Sequence, residues 1–252
     1  MKVAARSLPV LLLVLPLAAC GGDDASGGEG GGGGELTVLA AASLTDVYEE
    51  LAAGFETEHD VDVTFSFGSS TDLAEQAADG APGDVLATAD ETSMQVAEDA
   101  DVTGDVSPFA TNVMVLVTPP DNPAGIESLD DLEGATWVRC ADEVPCGRVA
   151  RAVLEDNDVT AEPASLEDDV RATLDKVISG EADAGMVYAS DAVAAGDDVT
   201  TIEVPGADEQ LTTYFIATLQ QSEDAELAQD WVDLVTSQEG QQALTDAGFT
   251  LP

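Results

Sequence analysis

Short apolar runs alternate with helical patterns along most of this chain. A strand is predicted at 36–41, and the segment after it carries apolar residues at helical spacing, at Leu44, Val47, Tyr48, Leu51 and Phe55. The same order follows twice more, with strands at 61–67 and 85–88 and helices at 71–79 and near 91–98. This rhythm predicts a parallel sheet with helices on both faces.

A second series of strands and helices begins at 113–117, a continuous apolar run that is typical of a buried strand. Strands are predicted at 135–138, 184–188, 200–204 and 212–218, and helices at 128–133, 145–157, 170–179, 190–195, 224–236 and 238–247. Two such blocks, joined at 113–117 and 212–218, predict two lobes with two crossings between them. We expect one lobe to comprise 36–112 and 216–252, and the other to comprise 113–215.

The N-terminus has the pattern of a bacterial lipoprotein signal. Two basic residues precede an apolar run at 8–17, which ends in Leu17-Ala18-Ala19-Cys20. A run of ten residues is too short to span a bilayer, and a buried N-terminal helix is the less favoured alternative. We therefore expect cleavage after 1–19, lipidation of Cys20 and a flexible Gly-rich tether over 20–35. The protein would lie on the outer face of the cell membrane, in contact with it only through the lipid.

The charge of the chain excludes several classes of partner. Seven basic and 51 acidic residues give a net charge of −44, and loss of the signal with Lys2 and Arg6 makes it −46. Nucleic acid and anionic lipid surfaces are excluded as partners, and the acidity is interpreted as a solvated surface. The five remaining basic residues all lie within one segment, at Arg139, Arg148, Arg151, Arg171 and Lys176. The basic residues either make this region less negative, which would help a small anion to approach it, or form ordinary salt bridges with neighbouring acids.

Two cysteines remain after Cys20 is assigned to lipid. Outside the cell a pair such as Cys140 and Cys146 normally oxidises, so we expect a disulfide. A zinc site is disfavoured because C-x5-C has no companion ligand. The single histidine, His59, lies in a Glu58-His59-Asp60 turn and is predicted to be exposed.

Small hydroxyl residues follow two of the predicted strands. Ser43 and Ser70 are each predicted to open a helix as its N-cap, and Ser43-x-x-Asp46 resembles a capping box. Helix N-termini carry free N–H groups and a positive dipole end, so two that converge form an anion site without a charged side chain. Tyr188 lies at another strand end, and ligands of open α/β sheets bind outside the carboxyl ends of the strands.

The sequence offers little for catalysis. His59 lies at the far end of the helix after Ser43, so a Ser-His-Asp triad is not expected. The chain has no G-x-S-x-G elbow and no Walker loop, and no G-x-G-x-x-G follows a strand. Acid pairs such as Asp168-Asp169 keep an extracellular hydrolase as a distant hypothesis. Binding without chemistry is the favoured class, and no cofactor is expected.

Several motifs, in this order and spacing, resemble those of the molybdate-binding proteins of bacterial ABC importers. The resemblance extends over 36–252 and rests on these segments: Leu39-Ala40-Ala41-Ala42-Ser43-Leu44-Thr45, Phe67-Gly68-Ser69-Ser70-Thr71-Asp72-Leu73, Gly80-Ala81-Pro82-Gly83-Asp84-Val85, Glu143-Val144-Pro145-Cys146-Gly147, Glu167-Asp168-Asp169-Val170-Arg171, Gly185-Met186-Val187-Tyr188-Ala189-Ser190-Asp191-Ala192-Val193 and Ala247-Gly248-Phe249.

The resemblance implies a two-lobed clamshell of the periplasmic-binding-protein class (type II), in which each lobe is a mixed, mostly parallel sheet flanked by helices. It also implies a site for a dehydrated tetrahedral oxyanion. The hydroxyls of Ser43, Ser70 and Tyr188 match its side-chain donors, and the backbone N–H groups of Cys146 and Val170 match its main-chain donors. The family more commonly has a small side chain at the Cys146 position, which a backbone contact tolerates.

The implied function is that of a monomeric receptor, not an enzyme, which passes molybdate or tungstate to the membrane subunits of an ABC permease. Arg148 and Arg171 would bias the local potential without touching the ligand. The alternative within the same fold is a receptor for sulfate, thiosulfate or a ferric complex. Molybdate and tungstate are too similar for the sequence to separate them.

Overall fold

A computed structural model of the protein describes residues 34–252. The predicted signal at 1–19, the lipidated Cys20 and the tether up to residue 33 lie outside the described residues. The first strand begins at Gly34, so Gly34 and Glu35, which were assigned to the tether, belong to a sheet. Across the described part of the chain, the model has no helix that combines the length and the apolar character needed to cross a bilayer.

The described chain alternates between strands and helices. The strands are β1 (Gly34–Ala41), β2 (Val61–Gly68), β3 (Val85–Thr88), β4 (Ser107–Asn112), β5 (Met114–Thr118), β6 (Trp137–Cys140), β7 (Ser165–Glu167), β8 (Ala184–Tyr188), β9 (Thr200–Glu203) and β10 (Thr212–Thr218). The α-helices are α1 (Thr45–His59), α2 (Ser70–Ala78), α3 (Glu91–Asp99), α4 (Pro145–Asp156), α5 (Val170–Ile178), α6 (Ala189–Ala195), α7 (Ala225–Thr236) and α8 (Gln238–Asp246).

These strands form two sheets of the same topology. One has the order β2-β1-β3-β10-β4 and the other β7-β6-β8-β5-β9. The pairs around β1 and β6 are parallel, whereas β10 and β5 each pair antiparallel with both neighbours. In each sheet, four strands therefore run one way and the fifth runs the other way. The prediction of two mixed, mostly parallel α/β lobes is confirmed.

The chain crosses between the sheets at two places. Strand β4 of the first sheet is followed by Val113 and then by β5 of the second sheet. The return runs through 204–211, from β9 of the second sheet to β10 of the first. Strand β10 lies wholly in the first sheet, although 215 was the last residue assigned to the second lobe. Both crossings are short, so the lobes are connected next to the strand ends that face each other.

Two strands were missed by the pattern of the sequence. Strand β4 contains Pro108 and lies at an edge of its sheet, where proline is tolerated. Strand β7 has only three residues, and its Leu166 is 48% exposed. A strand this short, with an apolar side chain facing outwards, carries no period that sequence reasoning detects.

Each lobe has its own apolar core. In the first lobe, the buried indole of Trp231 packs against Tyr48, Phe55 and Phe65, with ring centroids 5.2–5.7 Å away. In the second lobe, the buried Trp137 belongs to an apolar core that also contains side chains of β5, β8 and α5. These cores hold the two sheets in place. The sheets in turn position the helices whose first turns face the space between the lobes.

The start of α4 is held tightly against the end of β6. A Cβ on Gly147 would lie 1.7 Å from the carbonyl oxygen of Ala141, so only glycine allows this approach. Cys140 and Cys146, six positions apart, are joined by a disulfide across the same contact. The first turn of α4 is therefore fixed to the sheet both by packing and by a covalent bond.

We predict that the Cys140–Cys146 disulfide forms in the exported protein and stabilises it. Closing a loop this short stabilises the native state by about 2 kcal/mol in the chain-entropy model. Mass spectrometry without reductant should show one bond between the two peptides, and the double variant Cys140→Ser/Cys146→Ser should unfold at lower denaturant concentration. Two free thiols in the exported protein would contradict this prediction.

Candidate functional site

Ser43 lies in a tight turn between β1 and α1. The turn, Ala42–Leu44, is a 3-10 helix, and α1 begins only at Thr45 with no side-chain cap. The prediction that Ser43 caps α1, in a capping box with Asp46, is therefore wrong. The extra turn directs the buried Ser43 hydroxyl towards β10, where its Oγ lies 2.7 Å from the Oη of Tyr214.

Ser70 is the first residue of α2 and not its N-cap, so this prediction too is wrong by one position. Ser69 is the cap, and its Oγ accepts the N–H of Asp72 at 3.5 Å. The buried Oγ of Ser70 instead accepts the N–H of Ala89, at 2.9 Å, from the loop after β3. Because a hydroxyl oxygen that accepts still has its own proton, Ser70 is free to donate.

The helices α4 and α5 each direct a first turn towards these serines. Pro145 occupies the first position of α4, where it has no N–H to leave unpaired, and Cys146 follows it. Asp169 caps α5 by accepting the N–H of Ala172 at 2.9 Å, and Val170 follows it. The N–H groups of Cys146 and Val170 lie in first turns, where no acceptor exists within the helix.

Tyr188 ends β8 and is 1% exposed. Its Oη has no hydrogen-bond partner among the described residues. Burial raises the pKa of this phenol well above its ordinary value, so the group keeps its proton. A buried hydroxyl normally has a partner, and an unpaired one beside a cavity is ready to donate to a ligand.

All five predicted site residues line one small cavity between the lobes. Its volume is about 20 Å³, and its walls come from the ends of β1, β2 and β8 and from the first turns of α2, α4 and α5. The lining residues are Ala41, Ala42, Ser43, Gly68, Ser69, Ser70, Ala89, Val144, Pro145, Cys146, Asp169, Val170 and Tyr188. A water-sized sphere needs roughly 10–15 Å³ by the same measure, so the space suits one small ligand.

The cavity has no basic side chain in its lining. Among the residues that line it, Asp169 is the only charged one, and its carboxylate is engaged in capping α5. The positive ends of α2, α4 and α5 supply the favourable potential for an anion. The site can therefore bind a small anion through neutral O–H and N–H donors.

Two arginines connect the lobes beside the cavity. Arg148, on α4, forms an ion pair of 2.6 Å with Asp90, which caps α3 of the other lobe. Arg171, on α5, forms an ion pair with Asp46 of α1 and lies 2.9 Å from the buried Asp191 of its own lobe. Burial raises the pKa of Asp191 to about 7, although Arg171 opposes that shift. Neither arginine lines the cavity.

The other basic residues are also paired. Arg139 lies near Asp142, Arg151 near Glu155 and Lys176 near Glu167. The simpler interpretation of the basic segment, a set of salt bridges, therefore accounts for all of its five members.

Sequence reasoning missed the residues behind Ser43. Tyr214, Asn112 and Ser190 form a buried polar chain that starts at the Ser43 hydroxyl. They come from β10, from the end of β4 and from α6, and so from three separate parts of the sequence. His59, predicted to be exposed, is instead half-buried and stacks on Phe55 with ring centroids 4.1 Å apart.

Comparison with known proteins identifies relatives along nearly the whole described chain. The family model for bacterial extracellular solute-binding proteins matches residues 36–250. The molybdate-binding protein ModA of Mycobacterium tuberculosis H37Rv is 38% identical over 221 residues, which cover 86% of this chain and 85% of that protein. ModA of Escherichia coli K12 is 29% identical over 230 residues, covering 86% and 89%.

Solved structures share the fold. The periplasmic molybdate-binding protein of Azotobacter vinelandii superposes with a TM-score of 0.77 at 21% identity, covering 86% of this chain and 99% of that one. The sulfate-binding protein SubI of Mycobacterium tuberculosis H37Rv gives 0.74 at 19% identity, covering 85% and 86%. With a family model that spans both lobes, the chain belongs to the bacterial extracellular solute-binding proteins.

Proposed function

We propose that this protein captures molybdate or tungstate between its two lobes and delivers the anion to an ABC permease. One observation carries the proposal: donors from both lobes converge on a single cavity that has no basic side chain in its lining. Relatives named as molybdate-binding proteins, 38% and 29% identical, support the choice of ligand.

Neutral donors suit a fully dehydrated dianion. Inside a protein the effective dielectric is low, so each O–H or N–H that points at an anion interacts more strongly than in water. The donors are Ser43, Ser70 and Tyr188 with their hydroxyls, and Cys146 and Val170 with their N–H groups. Together with the helix dipoles, they would replace the hydration shell of the anion without introducing a buried cation.

Size would separate the possible ligands. The donors are held by two sheets and by the fixed first turn of α4, so they contract little around a smaller anion. Molybdate and tungstate have longer bonds to oxygen than sulfate has, and sulfate would not reach all donors at once. Sulfate or thiosulfate remains the second candidate, favoured by the likeness of the fold to that of the sulfate-binding protein SubI.

Binding would favour the closed arrangement of the lobes. Ser43 and Ser70 come from the first lobe, and Cys146, Val170 and Tyr188 come from the second, so an anion that contacts both sets stabilises their approach. The two arginine bridges, Arg148–Asp90 and Arg171–Asp46, would close the cleft on either side. The permease would then recognise a shape that the empty receptor adopts less often.

We further propose a monomer that is anchored through lipid on Cys20 and that binds its ligand without turnover. No Lys, Arg or His lies among the residues that line the cavity. His59 is placed elsewhere, 3.6 Å from Asp230 on α7. The lining therefore offers no imidazole or amine as a general base, and the one carboxylate in it, that of Asp169, is engaged in capping α5.

We predict that molybdate and tungstate bind stoichiometrically and raise the melting temperature, whereas sulfate at equal concentration has little effect. Ligand that binds only the native state stabilises it by about 2.7 kcal/mol when its free concentration is about a hundredfold above Kd. Isothermal titration and thermal melts with each anion measure this. A larger shift with sulfate would reject the assignment of the ligand.

We predict that Ser70→Ala weakens molybdate binding roughly ten- to a hundredfold, because a donor to a buried charged oxygen is lost. The variant also leaves the Ala89 N–H without its partner, so a modest loss of stability is expected. Ser237→Ala is the matched control: it removes the cap of α8, far from the cavity, and should lower stability without changing Kd. An unchanged Kd in Ser70→Ala would show that Ser70 has only a structural role.

A further inference from the structure

A buried chain of hydrogen bonds extends from Ser43 to the other lobe. Ser43 Oγ lies 2.7 Å from Tyr214 Oη, and Asn112 Nδ2 lies 3.5 Å from the same phenol oxygen. Asn112 Nδ2 also donates to Ser190 Oγ, on α6, at 2.8 Å. All four side chains are buried, so these groups depend on one another for their partners.

One backbone contact determines which group donates in each hydrogen bond of this buried network. The N–H of Val113 donates to Asn112 Oδ1 at 2.9 Å, which identifies the other end of the amide as its NH2 group. An amide NH2 only donates. Tyr214 Oη is therefore an acceptor from Asn112, and its own proton has Ser43 Oγ as its acceptor.

We propose that Tyr214, oriented by Asn112, is a positioning residue that donates to Ser43 Oγ and so turns the Ser43 proton towards the bound oxyanion. This inference rests on the proposed function. Tyr214 contacts no ligand in this account and acts only through Ser43.

Two arguments disfavour the reverse direction of this hydrogen bond, with Ser43 as the donor and Tyr214 as the acceptor. If Ser43 donated to Tyr214, the phenol proton would be left without an acceptor at a buried site, which is costly. Ser43 would then face the anion with lone pairs alone. Burial also raises the pKa of Tyr214, so the phenol keeps the proton that it donates.

Ser70 shows the same arrangement with a different partner. Its Oγ accepts the N–H of Ala89, and its proton is likewise left for the cavity. At both serines, a donor of the protein itself forms a hydrogen bond to the hydroxyl oxygen and leaves the hydroxyl proton for the cavity. Ser43 receives this donor from a side chain, so a substitution can remove it without altering the backbone.

A double-mutant cycle between Tyr214 and Ser43 tests the proposal. Tyr214→Phe removes one oxygen and keeps the ring that packs against Phe109 and Phe249. With the hydroxyl of Ser43 no longer oriented, molybdate affinity should fall roughly three- to tenfold. Ser43→Ala should lower molybdate affinity further than Tyr214→Phe does. The double variant should bind molybdate as Ser43→Ala does, within about twofold, because Tyr214 then has no Ser43 hydroxyl to orient.

Tyr48→Phe is the matched control. Tyr48 is a buried tyrosine in the core of the same lobe, and its Oη has no hydrogen-bond partner among the described residues. Its loss should leave molybdate affinity unchanged. Melting curves of the unliganded variants would separate an effect on folding from an effect on binding.

Two results would overturn the proposal: wild-type affinity in Tyr214→Phe, or losses that simply multiply in the double variant, as two independent effects would. If the wild type binds sulfate and not molybdate, the cycle is measured with sulfate. Binding of sulfate instead of molybdate would reject the proposed function. Independent losses of affinity in the two single variants would reject the positioning role of Tyr214, so the two failures remain distinct.

Discussion

The site depends on one constraint: an anion that loses its water inside a protein without a countercharge needs donors on every side, each with its proton turned inwards. The fold meets this constraint by placing strand ends and helix first turns from two sheets around one cavity. The hydroxyl oxygen of Ser70 accepts the N–H of Ala89, and that of Tyr188 has no partner among the described residues. The lobes are thus two halves of one set of donors.

The strong negative charge of the chain is compatible with the proposed anion site because Asp169 is the only charged residue in the lining of the cavity and its carboxylate caps α5. The arginines nearest to the cavity, Arg148 and Arg171, are engaged with Asp90, Asp46 and Asp191. Their pairing ties the lobes together beside the cavity and leaves no free cation in its lining. Selectivity would then rest on distances between fixed neutral donors, which depend on size, and not on charge, which all oxyanions share.

Much of this architecture could be predicted from the sequence, because the periodicity of apolar residues is local. The two series of strands and helices follow from it, whereas the return crossing lies at 204–211 and not at the predicted 212–218, which is a strand of the first sheet. The five candidate binding residues follow from the resemblance of their motifs to those of molybdate-binding proteins, and the structure brings these residues to one cavity. The roles given to Ser43 and Ser70 as caps were wrong, since a 3-10 turn and a shift of one residue are settled by packing rather than by composition.

What the sequence could not predict are contacts between distant parts of the chain. Ser43 and Tyr214 are 171 positions apart and meet because β10 returns from the second lobe to the first sheet. Arg171 and Asp46, 125 positions apart, meet because the cleft brings α5 beside α1. No local pattern in the sequence marks such pairs.

The most direct test of the account is a crystal structure of the protein with tungstate, measured at the tungsten absorption edge. We predict a single strong anomalous peak in the cavity, within hydrogen-bond distance of the hydroxyls of Ser43, Ser70 and Tyr188 and of the N–H groups of Cys146 and Val170. A peak held by only one lobe, or one located beside Arg148 or Arg171 outside the cavity, would contradict it.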